Sequence, residues 1–421
     1  MLFSQCLLAL LAGGVLQALS VYARVRKEGR VCIVVPEGRG RDDSSSIISA
    51  FAQCNRDASV VFLNDTYHVE RVISTHGLRN VTVDIKGTLL WGTNTTYWIN
   101  NSLPLGYLNM SVAWDFGGDN IFWTGHGYGT FDGNGQIWYD LANGASNMPG
   151  RPINLVIRNS TNFTMQGMRF VQSQFWTMAV HTAENLLLEG ITIHSVSNSS
   201  APTQNTDGID TFYTNNITLR NWDVTCGDDA VAPKANSSNL LVQDSHFHDT
   251  IGVAIGSIGQ YPGVYEFIEN VTAERIICDG CVHAGYVKTW TGVEKGVPPN
   301  GGGGGIGFLR NIVFRDYNIA NITDGVAQIS QCTSYNGQTG YCDTSTFQIS
   351  NVTWTNFSGT VANNLLASLQ CSGAAPCTDI VIEGVDGLVF NSTSTEPEVE
   401  CSHVTVGPGS VACNGNVTTA A

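Results

Sequence analysis

The sequence predicts an all-β protein: a right-handed parallel β-helix, a solenoid of stacked coils with one short capping helix at its N-terminal end. Three observations carry this expectation. From about residue 154 a pattern repeats in which Asn or Asp precedes a short apolar run and a second run follows a polar turn. Its starts at Asn162, Asn185, Asn216, Asn239, Asn270, Asn311, Asn351 and Asp379 are separated by 23, 31, 23, 31, 41, 40 and 28 residues. Periods of this size without a helical stripe mean coils that bury their inward residues against the next coil. Composition agrees, because 46 glycines and only 13% charged residues suit strands and tight turns rather than helices. No linker-like stretch interrupts the pattern, so residues 24–421 are expected to form one domain.

In chain order, residues 1–23 read as a secretory signal. Leu7 to Leu19 is apolar with few interruptions, and the run Val21-Tyr22-Ala23 places the small residues Val21 and Ala23 where a signal peptidase prefers them. The segment lacks a Lys or Arg before the apolar run, but that run is shorter than the ~20 residues of a membrane span. Ser44 to Cys54 reads as the capping helix, with Asp43 or Ser44 as its cap and Ile47, Ile48, Phe51 and Ala52 on one face. Residues 66–73, 81–91 and 121–127 are strand-like and begin the same solenoid in a different rhythm. The repeated Asn is read as structural: it stacks between coils or adopts the left-handed conformation at a corner.

Sixteen Asn-x-Ser/Thr sequons and twelve cysteines suit a glycosylated protein of an oxidising, extracellular compartment. Without Cys6 eleven cysteines remain, so at least one thiol is unpaired. Short-range pairing is expected for Cys332–Cys342, Cys371–Cys377, Cys401–Cys413 and Cys32–Cys54. Cys278 and Cys281 have the spacing of a redox dithiol but lack its usual helical context. A net charge of −15 argues against nucleic acid or an anionic membrane as partner, and leaves an acidic polysaccharide open. A monomer is expected.

The chemistry concentrates between residues 205 and 290. Asn205-Thr206-Asp207-Gly208-Ile209-Asp210 is followed, 21 residues after Asp207, by Asp228-Asp229. Clustered carboxylates raise one another's pKa and repel, so their gathering needs a reason. Glycosidic hydrolysis supplies one, with one carboxylic acid protonating the leaving oxygen and another carboxylate activating water. The spacing is close to one coil, which stacks Asp207 on one of the pair about 4.8 Å away, with the other reaching in from a bend. Gly208 and Gly227 are read as turn residues that aim these side chains outward. The plain alternative, aspartates that merely cap turns, accounts for one Asp-Gly better than for four aspartates.

These motifs resemble family 28 glycoside hydrolases, the polygalacturonase and rhamnogalacturonase group of pectin-degrading enzymes. That family's pattern is Asn-Thr-Asp-Gly-x-Asp, then Gly- or Gln-Asp-Asp, then Gly-His-Gly before a Gly-Ser run, then Arg-Ile-Lys. The resemblance covers most of residues 30–390. It implies a secreted, inverting hydrolase that needs no metal or cofactor, with Asp228 as general acid and Asp207 with Asp229 activating water. Inversion would require carboxyls roughly 6.5–9.5 Å apart. It further implies substrate contacts from Asn205, Asp210, Gln260, Tyr286 and Lys288. Two motifs depart from the pattern. Ile251 stands where polygalacturonases have His, and Tyr286-Val287-Lys288 replaces Arg-Ile-Lys. An Arg fork suits a carboxylate, whereas a Tyr ring and hydroxyl suit a neutral sugar. In pattern the chain looks most like fungal exo-acting rhamnogalacturonan hydrolases and α-L-rhamnosidase-like members, and Gln260-Tyr261-Pro262 resembles the exo branch.

The function expected is therefore exo-acting trimming of pectin, on rhamnogalacturonan ending in galacturonate or α-L-rhamnose. Alternatives are an exo-polygalacturonase, a calcium-dependent polysaccharide lyase and a non-enzymatic β-helix binding protein. Lys288 is expected to pair with a substrate carboxylate. His246 or His248 is a candidate to replace the missing His, although strand alternation favours a solvent-facing position. Gly301 to Gly305 reads as a flexible loop near a pocket, and Trp176, Trp290 and Tyr261 as sugar-stacking or packing rings.

Overall fold

The computed structural model describes residues 24–335, 341–391 and 396–417, so the expected signal segment lies outside it. Within these residues each coil lies on the previous one through parallel ladders, as the repeat predicts. Strand Met178–Glu189 pairs with Pro152–Val171 before it and Ile209–Arg220 after it. Ser237–His248, Tyr265–Asp279, Ile306–Ile322 and Gln348–Val361 continue that column. A second column starts on Ile209 and runs through Asp229–Pro233, Gly252–Ile258, Gly285–Trp290, Ala327–Thr333 and Leu365–Gln370. The second column carries the site. The fold is the expected parallel β-helix.

Inward residues stack coil on coil. Leu155, Met178, Ile209, Val231 and Val253 occupy one register position and are all essentially inaccessible. Each such side chain contributes about 1.5–3 kcal/mol relative to exposure. The next residue in this file is Gly285, where a Cβ would lie 2.6 Å from the Trp354 indole nitrogen. The file narrows there because Trp354 fills the space, donating to the Gly285 carbonyl at 3.1 Å.

The repeated asparagines do both things expected of them. Asn162, Asn185, Asn216, Asn239, Asn270, Asn311 and Asn351 all have φ between 53° and 60°. Their side chains also form a ladder: Asn216 donates to Asn185 (2.7 Å), Asn270 to Asn239 (3.0 Å), Asn311 to Asn270 and Asn351 to Asn311 (both 2.9 Å). Asn239 breaks the file and donates to Asn215 at 2.7 Å. Asn tolerates the left-handed region because its short polar side chain bonds locally.

The capping helix spans Ser44–Gln53, but its buried face is Ile47, Ala50 and Phe51, continued by Cys54. Ile48 is 39% exposed, because the chain turns through 3.6 residues rather than pairing neighbours on one face. Asp43 stands at the N-cap position, as expected, but its side chain makes no capping bond. Its carboxylate accepts instead from the backbone of Glu37 (2.6 Å) and His68 (2.7 Å), tying the helix entry to the first coils. All four expected disulfides are present, and Cys278 pairs with Cys281 as a fifth. Among the described residues the free thiol is Cys226, which is buried. No helix of the described residues is long and apolar enough to cross a membrane.

Candidate active site

Adjacent coils bring the three aspartates together. Ile209 pairs with Val231, an offset of 22 that places Asp207 over Asp229. The Gly208 N–H donates to the Asp229 carbonyl at 2.9 Å and locks this register. Asp228 enters from the preceding bend, as expected. One oxygen from each of Asp207, Asp228 and Asp229 lies within 4.8 Å of the other two. These nearest oxygens are closer than the roughly 6.5–9.5 Å expected between inverting carboxyls, so this spacing does not carry the inversion that the resemblance implies.

The glycines act differently from the expectation. Gly208 and Gly227 do not have positive φ, so neither is a turn specialist. Instead a Cβ on Gly208 would meet the Ala230 carbonyl at 2.3 Å, and one on Gly227 would meet Thr203 Oγ1 at 2.2 Å. Both let successive coils approach closely at the cluster.

The carboxylates differ in environment. Asp228 is partly exposed and accepts from Asn205 N (3.0 Å), Asn205 Nδ2 (3.3 Å) and Asp229 N (3.0 Å). Burial, reinforced by the Asp229 charge, nevertheless raises its pKa. Asp207 is 3% exposed, and its Oδ1 has no hydrogen-bond partner. Burial and then Asp228 push its pKa well above the usual carboxylate range. Asp229 receives both of its side-chain bonds from Lys288, whose Nζ lies 2.8 and 3.1 Å from the two oxygens. Burial opposes the charge on Lys288, but Asp229 outweighs it and holds the ammonium well above its ordinary pKa. A second buried pair lies alongside: Lys234 Nζ is 3.2 Å from Asp210 Oδ1 and donates to the Gly256 carbonyl at 3.0 Å.

A cavity of about 280 Å³ opens over the cluster. It is lined by Asp207, Asp228, Asp229, Asn205, Gln260, Tyr286 and Lys288, all of them residues the sequence singled out, and by Ile251 at the departed His position. Asp210 is the exception. It is inaccessible, does not line the cavity and serves as the counter-ion of Lys234, because strand alternation turns it away from Asp207's side. Gln260 lines the wall but spends its amide on the carbonyls of Pro299 (2.8 Å) and Gly301 (2.9 Å). The glycine loop is thus tied down rather than free: Gly303 N bonds Gln260 O at 2.8 Å and Gly305 N bonds Gly259 O at 3.0 Å. Asn300 crosses to the Ser146 carbonyl at 3.0 Å, joining two rim loops 154 residues apart in the chain. Tyr261 holds a third rim loop, its hydroxyl oxygen accepting from the Leu108 N–H at 2.9 Å.

Of the rings named from sequence, Trp176 lines the cavity, with Lys234 Nζ 5.4 Å from its ring centre. Trp290 instead packs against Tyr335 and donates to Ser257. His246 and His248 lie away from the cavity, so neither replaces the missing His. Sequence reading missed Lys234, the rim residues Leu108, Met110, Ser146, Asn147, Gln204 and Pro299, and the wall residues Ser257 and Tyr335. It also missed Arg151, a buried guanidinium that donates to the carbonyls of Gln174 and Gln204 and fixes the approach to Asn205. Burial lowers the pKa of Arg151 to about 10. A lysine directly after the buried strand Asp229–Pro233 was a legible signal for Lys234, since buried cations need a partner.

Comparison with known proteins now identifies the scaffold. The profile of "Glycosyl hydrolases family 28" matches residues 78–413. Alpha-L-rhamnosidase rgxB of Aspergillus niger is 42% identical over 403 residues, covering 95% of this chain and 93% of that protein. An exopolygalacturonase of Cochliobolus carbonum is 32% identical over 364 residues, covering 85% of this chain and 80% of that one. Among solved structures, endo-xylogalacturonan hydrolase from Aspergillus tubingensis superposes with a TM-score of 0.77 at 24% identity, over 91% of this chain and 99% of that one. That last likeness speaks to the fold alone. With the family profile spanning most of the β-helix and all three aspartates, the chain belongs to the family 28 glycosyl hydrolases.

Proposed function

We propose that this hydrolase removes terminal α-L-rhamnose from the non-reducing end of rhamnogalacturonan, with inversion at the anomeric carbon. The observation that carries the choice of sugar is the state of the two cavity lysines. Lys288 gives two bonds to Asp229, and Lys234 is divided between Asp210 and the Gly256 carbonyl. Neither ammonium is uncommitted, and the lining contains no arginine. A galacturonate carboxylate would therefore enter without a free counter-charge, at the desolvation cost of a buried ion. Leu108, Met110, Ile251 and Trp176 instead offer apolar surface suited to the methyl group of a 6-deoxy sugar. The cavity size and the bridged rim suit one terminal residue rather than a threaded chain. The 42% identical relative bears the name alpha-L-rhamnosidase.

In the reaction, Asp228 protonates the glycosidic oxygen as the bond from that oxygen to the anomeric carbon breaks. Asp229, paired with Lys288, accepts the proton of a water on the other face as that water's oxygen bonds the carbon, and Asp207 orients the water. The raised pKa of Asp228 suits a group that must carry a proton. Asn205 aims Asp228 through two bonds, and Lys288 compensates the charge of Asp229 while keeping one N–H for a sugar oxygen. The five disulfides suit a secreted protein, which we take to act as a monomer outside the cell.

A second reading, release of galacturonate, draws on the 32% identical exopolygalacturonase and on the ammonium of Lys288 at the wall. Product analysis decides between them. Free rhamnose from rhamnogalacturonan ending in rhamnose and from an aryl α-L-rhamnoside is expected, with no release from homogalacturonan. Galacturonate as sole product would reverse the assignment. Proton NMR of the first-formed anomer tests inversion.

A further inference from the structure

Outside the cavity, one cluster gathers donors of a different kind. His246 and His248 alternate on strand Ser237–His248 and flank Phe247, which is fully buried, so both imidazoles project from the outer face. Asp223, on the short strand Asp223–Thr225 of the preceding coil, is the register partner of His246. The two ring centres are 3.7 Å apart, and His248 Nε2 lies 3.7 Å from Asp223 Oδ1. One donor atom of each residue lies within 4.8 Å of the other two. His246 Nε2 is screened from solvent and has no hydrogen-bond partner. Such an unpartnered buried nitrogen is costly and calls for an occupant.

We infer that Asp223, His246 and His248 bind a divalent transition-metal ion, with Zn²⁺ the best match, leaving a fourth position to water. Two imidazoles and one carboxylate form a three-ligand zinc donor set. Metal–ligand distances near 2.0–2.1 Å place tetrahedral ligands about 3.3 Å apart, and donors spread no wider than 4.8 Å reach that by side-chain rotation alone. Imidazole nitrogen selects zinc, copper or nickel over magnesium and calcium, which favour oxygen. The three carboxylates of the cavity form the other three-donor group, and they suit a hard cation rather than this one. None of Asp223, His246 and His248 lines the cavity, so the ion takes no part in hydrolysis. It clips the strand Asp223–Thr225 to the coil that follows, and it stabilises the fold because the unfolded chain does not hold the three donors together.

The test uses full-length protein without a histidine tag, stripped with chelator. Added Zn²⁺ should raise its Tm, and Co²⁺ should give the visible absorption of a tetrahedral nitrogen–oxygen site. H246A/H248A should lose both signals and weaken Zn²⁺ binding by at least about 10²-fold, since even second-shell losses cost 10- to 100-fold. Asp223→Asn should weaken binding without abolishing the Co²⁺ spectrum. D228N should keep both signals in full, and chelator should leave hydrolysis by the wild type unchanged. Wild-type protein with neither a Tm rise nor a Co²⁺ band would overturn the site. So would a Zn²⁺ response that survives in H246A/H248A or disappears in D228N.

Discussion

The asparagine corner and the carboxylate cavity are built from the same stacked coils but work by opposite rules. At the corner one residue type recurs in coil after coil, each copy bonded to the one before. In the cavity nothing recurs: Asp207, Asp228, Asp229 and Lys288 each appear once and hold one another. A solenoid spreads its stability over near-equivalent neighbours, so one corner position is replaceable. The cavity concentrates like charges in a buried place and depends on each counter-charge. Repetition stabilises here, and departure from it makes the chemistry.

The largest expected break is at Asp228. Asp228→Asn should lower kcat by at least about 10²-fold with little change in substrate binding, as loss of a general acid does. Steady-state kinetics on an aryl α-L-rhamnoside check it, and near-normal turnover would remove Asp228 from that role. Lys288→Ala comes next. It strands the Asp229 carboxylate in a buried site, where breaking such a pair costs about 3–5 kcal/mol. Denaturant unfolding should show that loss, and activity should fall on neutral and uronate-containing substrates alike. An effect confined to uronate chains would restore the direct carboxylate contact first expected of Lys288.

Asp207 sharpens the comparison through pH. Its folded-state pKa is raised by burial, so the folded protein binds this proton more tightly than the unfolded chain does. The stability it contributes is fully present below the unfolded carboxylate value near 4 and is lost as pH rises through the folded value. Asp207→Asn removes that dependence. Its Tm relative to wild type should therefore climb between pH 4 and pH 7 while activity stays low. A Tm difference independent of pH would mean the proton is not held there. The smallest effect belongs to the corner. Asn311→Ala loses its bonds to Asn270 and Asn351 and places a Cβ at φ 59° without Asn's local compensation. A cost of about 1–2 kcal/mol is expected, with Asn311→Gly recovering part of it because glycine is at ease in that conformation.

Legibility in the sequence followed the same division. The recurrent corner announced the β-helix, because a fixed residue at a coil-sized period fits few folds besides a stacked solenoid. The three aspartates were legible because clustered carboxylates beside glycines are costly without a purpose. Lys288 was found, but its bonds to Asp229 two coils away were not, since sequence does not show which carboxylate a buried lysine meets. Asp210 was placed in the cavity when it is the hidden counter-ion of Lys234. Leu108, Asn147 and Pro299 were invisible, because loops distant in the chain meet only once the coils have stacked. Gly208 and Gly227 were noticed for the wrong reason: close approach between coils leaves the same residue as a turn does.

The asparagine corner has one more consequence, in the order of events during biosynthesis. Asn162, Asn216, Asn270 and Asn351 are sequon asparagines, and each donates its Nδ2 to the coil beneath. An N-linked sugar attaches at that same nitrogen. Glycan transfer and coil closure therefore draw on one atom, and whichever reaches it first sets the terms for the other. A coil that stacks quickly keeps its amide intact, whereas a glycosylated one must stack with one fewer N–H and a bulky branch at its corner. On a glycosylated chain, the pattern of sugars would therefore record which coils closed first.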